Sequence, residues 1–142
     1  MKLVVDASVV CKWLVAENDS EAAVEILAGG HDFFAPDLIV PEVCNVAVTK
    51  LRRGEITAKQ AALLVEHVPD FFDGIVPSAE LSRRAFVMAN EVMHPAYDCF
   101  YLALAEARNA NLVTADVRFL ERLKSTQWSH IASHMNAFHK PT

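Results

Sequence analysis

Apolar and polar positions alternate in blocks along the chain, beginning with Leu3-Val4-Val5, which breaks to a carboxylate at Asp6. A short β-branched run bounded by Asp6-Ala7-Ser8 predicts a buried strand over 2–6, and VVCKWLVAE behind it predicts a short helix. Residues 20–29 carry apolar positions at helical spacing, with Ser20 as cap and Gly29-Gly30 as stop, before a second strand, DFFAP, at 32–36. The helix over 37–54 is apolar nearly all round, so it is expected to be mostly buried; one polar stripe, Glu42, Asn45, Thr49 and Arg52, crosses it. TAKQAALLVEHVPDFF predicts a further helix capped by Thr57, and DGIVP at 73–77 a third strand. An amphipathic helix over 79–92 stops at His94-Pro95, and the one over 98–110 starts on Asp98 with apolar residues over most of its surface. NLVTAD at 111–116 is a fourth strand ending on Asp116, VRFLERLKS the last clear helix, and WSHIASHMNAF a short fifth strand with a tail.

Strands separated by helices require right-handed crossovers, which predicts a mainly parallel sheet of four to five strands with helices on both faces. The expected architecture is a three-layer α/β/α fold, one domain over residues 1–142. In such sheets ligands bind beyond the carboxyl ends of the strands, which directs attention to Asp6 and Asp116.

Composition narrows the function classes. The net charge of -5 argues against a protein that grips nucleic acid through bulk positive charge, although a local basic rim is compatible with it. Cys11, Cys44 and Cys99 form no CxxC pair and leave an odd thiol, so neither a zinc site nor a disulfide scaffold is expected, and a reducing cytoplasm fits best. The first apolar run ends too soon for a signal peptide and no run reaches transmembrane length, so a cytoplasmic protein without membrane association is expected. With 53% hydrophobic residues in so short a chain, a partner-covered surface is expected, and with it a homodimer.

The acids carry the candidate chemistry. Taken singly, Asp6 and Asp116 suit helix N-caps, and Glu42 and Asp98 suit first helical turns, where carboxylates complement the macrodipole. Against capping, Ser8 suffices to cap the first helix, which leaves Asp6 redundant at the end of an apolar strand. Glu42 heads a polar stripe with Asn45, and crowded carboxylates repel unless a cation intervenes. Hard oxygen ligands of this kind suit Mg²⁺ or Mn²⁺. Four glycines, none in a phosphate-cradling pattern, exclude nucleotide-binding loops, and Ser8 stands where a dehalogenase-like phosphatase needs its second Asp. His130, His134 and His139 match no common ligand spacing and are read as a solvated tail. His94 is read as a surface histidine at a helix end, and Tyr97 and Phe100 as packing residues. Arg118 and the Lys50-Arg52-Arg53 group are read as solvated faces or a path for phosphates.

Four stretches, VVDAS, PEVCN, YDCFYLALA and LVTAD, resemble in order and spacing the acidic motifs of PIN-domain nucleases, especially VapC-type toxins of toxin–antitoxin pairs. The resemblance spans residues 1 to about 125 and implies a PIN-like fold. It also implies that Asp6, Glu42, Asp98 and Asp116 are metal-binding catalytic acids, with Ser8, Asn45 and Thr114 supporting them. An endoribonuclease using Mg²⁺ or Mn²⁺ would follow, acting on RNA and restrained by a small antitoxin wrapped over the first helix around Trp13 and Leu14. The alternatives are a non-catalytic PIN-like module that binds RNA or protein, and a metal-dependent phosphatase.

Overall fold

The computed structural model describes residues 1–138. Five strands, β1 (Lys2–Val5), β2 (Asp32–Pro36), β3 (Gly74–Val76), β4 (Asn111–Thr114) and β5 (Ala132–His134), form one sheet in the order β3-β2-β1-β4-β5. Every pairing is parallel, as helical crossovers between strands demand. Leu3, Val4 and Val5 of the central strand are fully buried, and consecutive residues of a strand point to opposite faces, so both faces of the sheet are covered.

Seven α-helices do the covering: α1 (Ala7–Leu14), α2 (Ser20–Ala28), α3 (Ile39–Arg52), α4 (Ala58–His67), α5 (Ser82–Val92), α6 (Ala96–Arg108) and α7 (Val117–Leu123). Helix α6 lies across β1, β2 and β4, and α5 packs against it. It buries Cys99, Tyr101, Leu102, Ala103, Leu104 and Ala105, nearly its whole circumference, as its apolar sequence requires. The chain lays β2 and β3 on one side of β1 and then returns to place β4 and β5 on the other. The strand order therefore reverses between β1 and β4, and a crevice opens beyond their carboxyl ends.

Several local expectations are corrected. Asp6, not Ser8, caps α1: its carboxylate accepts the Val9 N–H at 3.3 Å. Ser20 is the first residue of α2 rather than its cap, which is Asp19 in a left-handed conformation, and the Ser20 hydroxyl instead accepts the Glu17 N–H at 2.7 Å. Helix α3 is not mostly buried; it sits in the outer layer against α1 and α4, burying Ile39, Val43 and Ala47 and exposing Val40, Val48 and Leu51. Thr57 does cap α4, in a reciprocal capping box with Gln60. That helix ends at His67, earlier than its apolar pattern suggested, and Pro69 follows in a tight 3-10 turn, because proline has no N–H to continue an α-helical ladder. His139 lies outside the described residues.

Trp13 does not lie on the surface. Its indole N–H donates to the Ala23 carbonyl at 2.7 Å, and its ring meets Phe33 and Phe71 at centroid distances of 5.1 and 5.2 Å. Helix α1 is amphipathic, and Trp13 falls on the same buried face as Val9 and Val10 while Leu14 stays exposed. Trp13→Ala is expected to cost about 3–5 kcal/mol of stability through the cavity it opens. A denaturant melt checks this; a loss under about 1 kcal/mol would show the indole to be peripheral.

Candidate functional site

The parallel register pairs Val5 with Val113, so the residues that follow, Asp6 and Thr114, meet at the strand ends. Asp6 is buried, and its two oxygens are separately held: Ser8 Oγ donates to Oδ1 at 2.5 Å, and Thr114 Oγ1 donates to Oδ2. The same hydroxyls accept backbone N–H groups, Ser8 from Ala115 at 3.1 Å and Thr114 from Asp116 at 3.0 Å. Each hydroxyl thus ties the end of β1 to the segment leaving β4.

Glu42 enters from the first turn of α3, with the Tyr101 hydroxyl donating to Oε1 at 2.5 Å. Asp98 enters from the first turn of α6, its Oδ2 lying 2.6 Å from His94 Nε2. His94 is not a surface residue: its side chain is 6% exposed and its ring lies 4.7 Å from that of Phe119. The turn that carries it is fixed by Met93, left-handed at the end of α5, whose carbonyl accepts from Arg122 at 2.7 Å. Asp116 caps α7 by accepting the Phe119 N–H at 3.1 Å. Ligating atoms of His94, Asp98 and Asp116 lie within 4.8 Å of one another. Sequence reasoning missed His94 and Tyr101. Tyr101 follows Asp98 by three residues on the same face of α6, whereas His94 precedes the helix and its burial depends on Phe119 from α7.

Of the other candidates, Asn45 stands one turn beyond Glu42 on α3 and is exposed. Tyr97 is not a packing residue, being 64% exposed because it points away from the buried side of α6. Phe100 does pack against the core. Lys50 is bound to Glu17 and Glu55 rather than free for phosphate, while Arg52, Arg53 and Arg118 are exposed.

Burial is the main electrostatic fact. It pushes the Asp6 carboxyl up to about 6, against the lowering effect of the Ser8 and Thr114 hydrogen bonds, with Asp98 adding repulsion. Glu42 is also raised, by burial and then by Asp6 and Asp98, and Asp98 is raised by burial and by Asp116, against the pull of His94. The four carboxylates therefore form one chain of mutual repulsion, which His94 beside Asp98 offsets in part. An oxygen-rich set with excess negative charge fits a hard divalent cation; among the described residues His94, Asp98 and Asp116 are the group whose ligand atoms already lie together, with Asp6 and Glu42 within electrostatic reach of Asp98.

Fold and site together define a parallel α/β protein with an acidic cluster at its topological switch point. The sequence model of the PIN domain matches residues 3–124. Ribonuclease VapC3 of Pyrobaculum aerophilum is 35% identical over 124 residues, which cover 86% of this chain and 95% of that protein. A crystal structure of a protein from Pyrobaculum aerophilum superposes with a TM-score of 0.66 at 21% identity, covering 96% of this chain and 85% of the other. VapBC2 from Rickettsia felis, solved with a DNA fragment from its promoter, does so with a TM-score of 0.62 at 12% identity, covering 94% and 98%. The two superpositions establish the fold. The chain belongs to the PIN-domain family and is a homologue of a VapC ribonuclease. Among the described residues, no helix is long and apolar enough to cross a membrane.

The raised Asp6 carboxyl has a consequence for stability. In the metal-free protein the folded state holds a proton near pH 5 that the unfolded state releases, so this residue's penalty is absent below about pH 4 and complete above pH 6. Asp6→Asn removes that penalty, on the order of 3 kcal/mol at neutral pH. The metal-free variant is expected to melt several degrees above wild type at pH 7, with the difference closing towards pH 4. Scanning calorimetry across that range measures it, and a gap independent of pH would show that the Asp6 charge is not the cause.

Proposed function

We propose that this chain is a metal-dependent endoribonuclease, a single PIN-like domain that hydrolyses phosphodiester bonds of RNA as the toxin of a type II toxin–antitoxin pair. The observation that carries the reading is the convergence of four mutually repelling carboxylates, from the ends of β1 and β4 and the first turns of α3 and α6, with Asp6, Glu42 and Asp98 all held above the usual carboxylate range by burial and by one another or Asp116. The 35% identity to a protein named as a VapC ribonuclease supports RNA as substrate. The same name supports an antitoxin partner, as does the likeness to VapBC2.

Asp6, Glu42, Asp98 and Asp116 would hold Mg²⁺ or Mn²⁺. Bound there, the cation supplies Lewis acidity, lowering the pKa of a water and offsetting the charge that develops on the phosphodiester. The chain's own residues keep the donors in place: Ser8 and Thr114 fix both Asp6 oxygens, Tyr101 fixes Glu42, and His94 fixes Asp98. Asn45, one turn beyond Glu42, lines the same pocket as that carboxylate. An apolar antitoxin segment has a surface to cover in the groove between α3 and α4, lined by Cys44, Val48, Leu51 and Val65. Phe86 on α5 and Met93 just past its end, 71% and 77% exposed, offer apolar surface to a second copy.

Purified protein with Mn²⁺ is expected to cut single-stranded RNA internally, leaving 5′-phosphate and 3′-hydroxyl ends, and chelation is expected to stop it. Asp98→Asn keeps the side-chain shape and should fold normally, yet lose activity by roughly 100-fold or more. Cyclic phosphate at the product ends, or wild-type cutting by Asp98→Asn, would rule out the metal-nuclease reading. Separately, millimolar Mn²⁺ should raise the melting temperature by mass action, and Asp6→Asn should blunt the rise. For the second copy, light scattering is expected to report a homodimer that Phe86→Glu converts to monomer; a wild-type monomer at high concentration refutes it.

A further inference from the structure

The face of α3 that carries Glu42 continues beyond the acidic cluster. Leu38, Pro41, Glu42, Asn45 and Val46 recur along it at helical spacing and, with Tyr97 from the first turn of α6, line an open pocket of about 300 Å³. That is the small end of the range for pockets that take small ligands, roughly 300–1,000 Å³. The pocket joins a carboxylate of the acidic cluster to three groups of different chemistry. Tyr97 presents an aromatic ring that is 64% exposed, on the residue next to Asp98. Asn45 presents an exposed amide with two donor hydrogens and an acceptor oxygen. Leu38, Pro41 and Val46 supply the apolar wall.

We propose that this pocket binds an unpaired nucleobase of the RNA beside the phosphate to be cut, stacked on the Tyr97 ring with its edge facing the Asn45 amide. The inference rests on the nuclease reading above and names the part of the substrate that the site recognises. A strand whose phosphate sits at the carboxylates has an adjacent base within a nucleotide's reach of Glu42, and Glu42 lines both places. Unpaired bases stack on aromatic side chains irrespective of sequence, whereas an amide discriminates between base edges. Tyr97 therefore supplies affinity and Asn45 preference. Bases inside an A-form duplex are already stacked on one another, so the pocket also selects single strands.

The test begins by mapping a cut in a single-stranded oligoribonucleotide, then replacing the nucleotide on either side of that cut by an abasic one. In wild type, one abasic replacement is expected to lower kcat/KM about tenfold, which equals about 1.4 kcal/mol. In Tyr97→Ala the same replacement is expected to matter less than about twofold, because ring and base act as a coupled pair. Tyr97→Phe retains the ring and should restore the tenfold effect, and Asn45→Ala should flatten the preference among the four bases at that position. Both positions are exposed, so folding is not at stake. Failure of wild type to cut the intact strand would bring down the nuclease reading and this inference with it. If wild type cuts but Tyr97→Ala keeps the full abasic penalty, or neither abasic replacement has an effect, the base pocket alone is refuted. Dissociation of a dimer by Tyr97→Ala in light scattering would likewise refute it, by assigning the pocket to contact between copies.

Discussion

A buried carboxylate at the end of the most buried strand is the constraint on which the rest of this structure depends. Asp6 follows Leu3-Val4-Val5, all fully inaccessible, and leaving an ionised group in such a place costs free energy unless its oxygens are satisfied. Ser8, Thr114 and the Val9 N–H satisfy them, yet burial still wins and the carboxyl remains raised. The Thr114 bond exists only because β4 lies beside β1 in the register Val5 to Val113. A one-residue slip would turn Thr114 to the other face of the sheet and remove its hydroxyl from Asp6. Sheet register and site chemistry are thus a single requirement.

The helices extend the same logic outward. α6 is apolar nearly all round so that it can lie across the sheet, and the polar residues it does carry inward, Asp98 and Tyr101, fall on one face next to His94. Each carboxylate arriving from a different element meets a neutral or cationic donor: Tyr101 for Glu42, His94 for Asp98, the Phe119 N–H for Asp116. Of these donors only His94 offsets any charge, so together they hold position while the cluster stays net negative. A set of neutralising lysines would have made the apo protein more stable and the cluster useless to a cation, which is the usual opposition between stability and a working site.

Most of this was legible in the sequence because it rests on periodicity. The parallel sheet follows from strand–helix alternation, and the positions of Asp6 and Asp116 follow from strand ends. What was not legible depended on which side of an element faces inward. An apolar run such as that of α3 does not reveal whether it is buried between layers or left open in an outer one, since Val40, Val48 and Leu51 have the same side-chain chemistry in either place. Trp13 read as a docking residue because the rings that pack on it, Phe33 and Phe71, are distant in the chain. His94 read as a surface residue because helix ends are usually wet; Phe119, contributed by α7, is what closes over it. In each case the deciding contact is non-local, so no window of sequence contains it.

The acidity of the chain also changes meaning once the cluster is seen as one object. Of 18 acidic residues against 13 basic ones, four belong to the cluster, which leaves 14 against 13, a balance of -1 for everything else. The negative charge that argues against nucleic-acid binding at the level of composition is therefore concentrated in the place where a divalent cation would offset it. Outside that place the surface is close to neutral, so long-range repulsion of a polyanion is weak and is screened within about 8 Å at physiological salt. A protein built this way does not attract RNA through a basic field. Its recognition of a strand has to come from short-range contacts at the cleft, which is why base stacking and an amide beside Glu42 matter more here than any count of arginines.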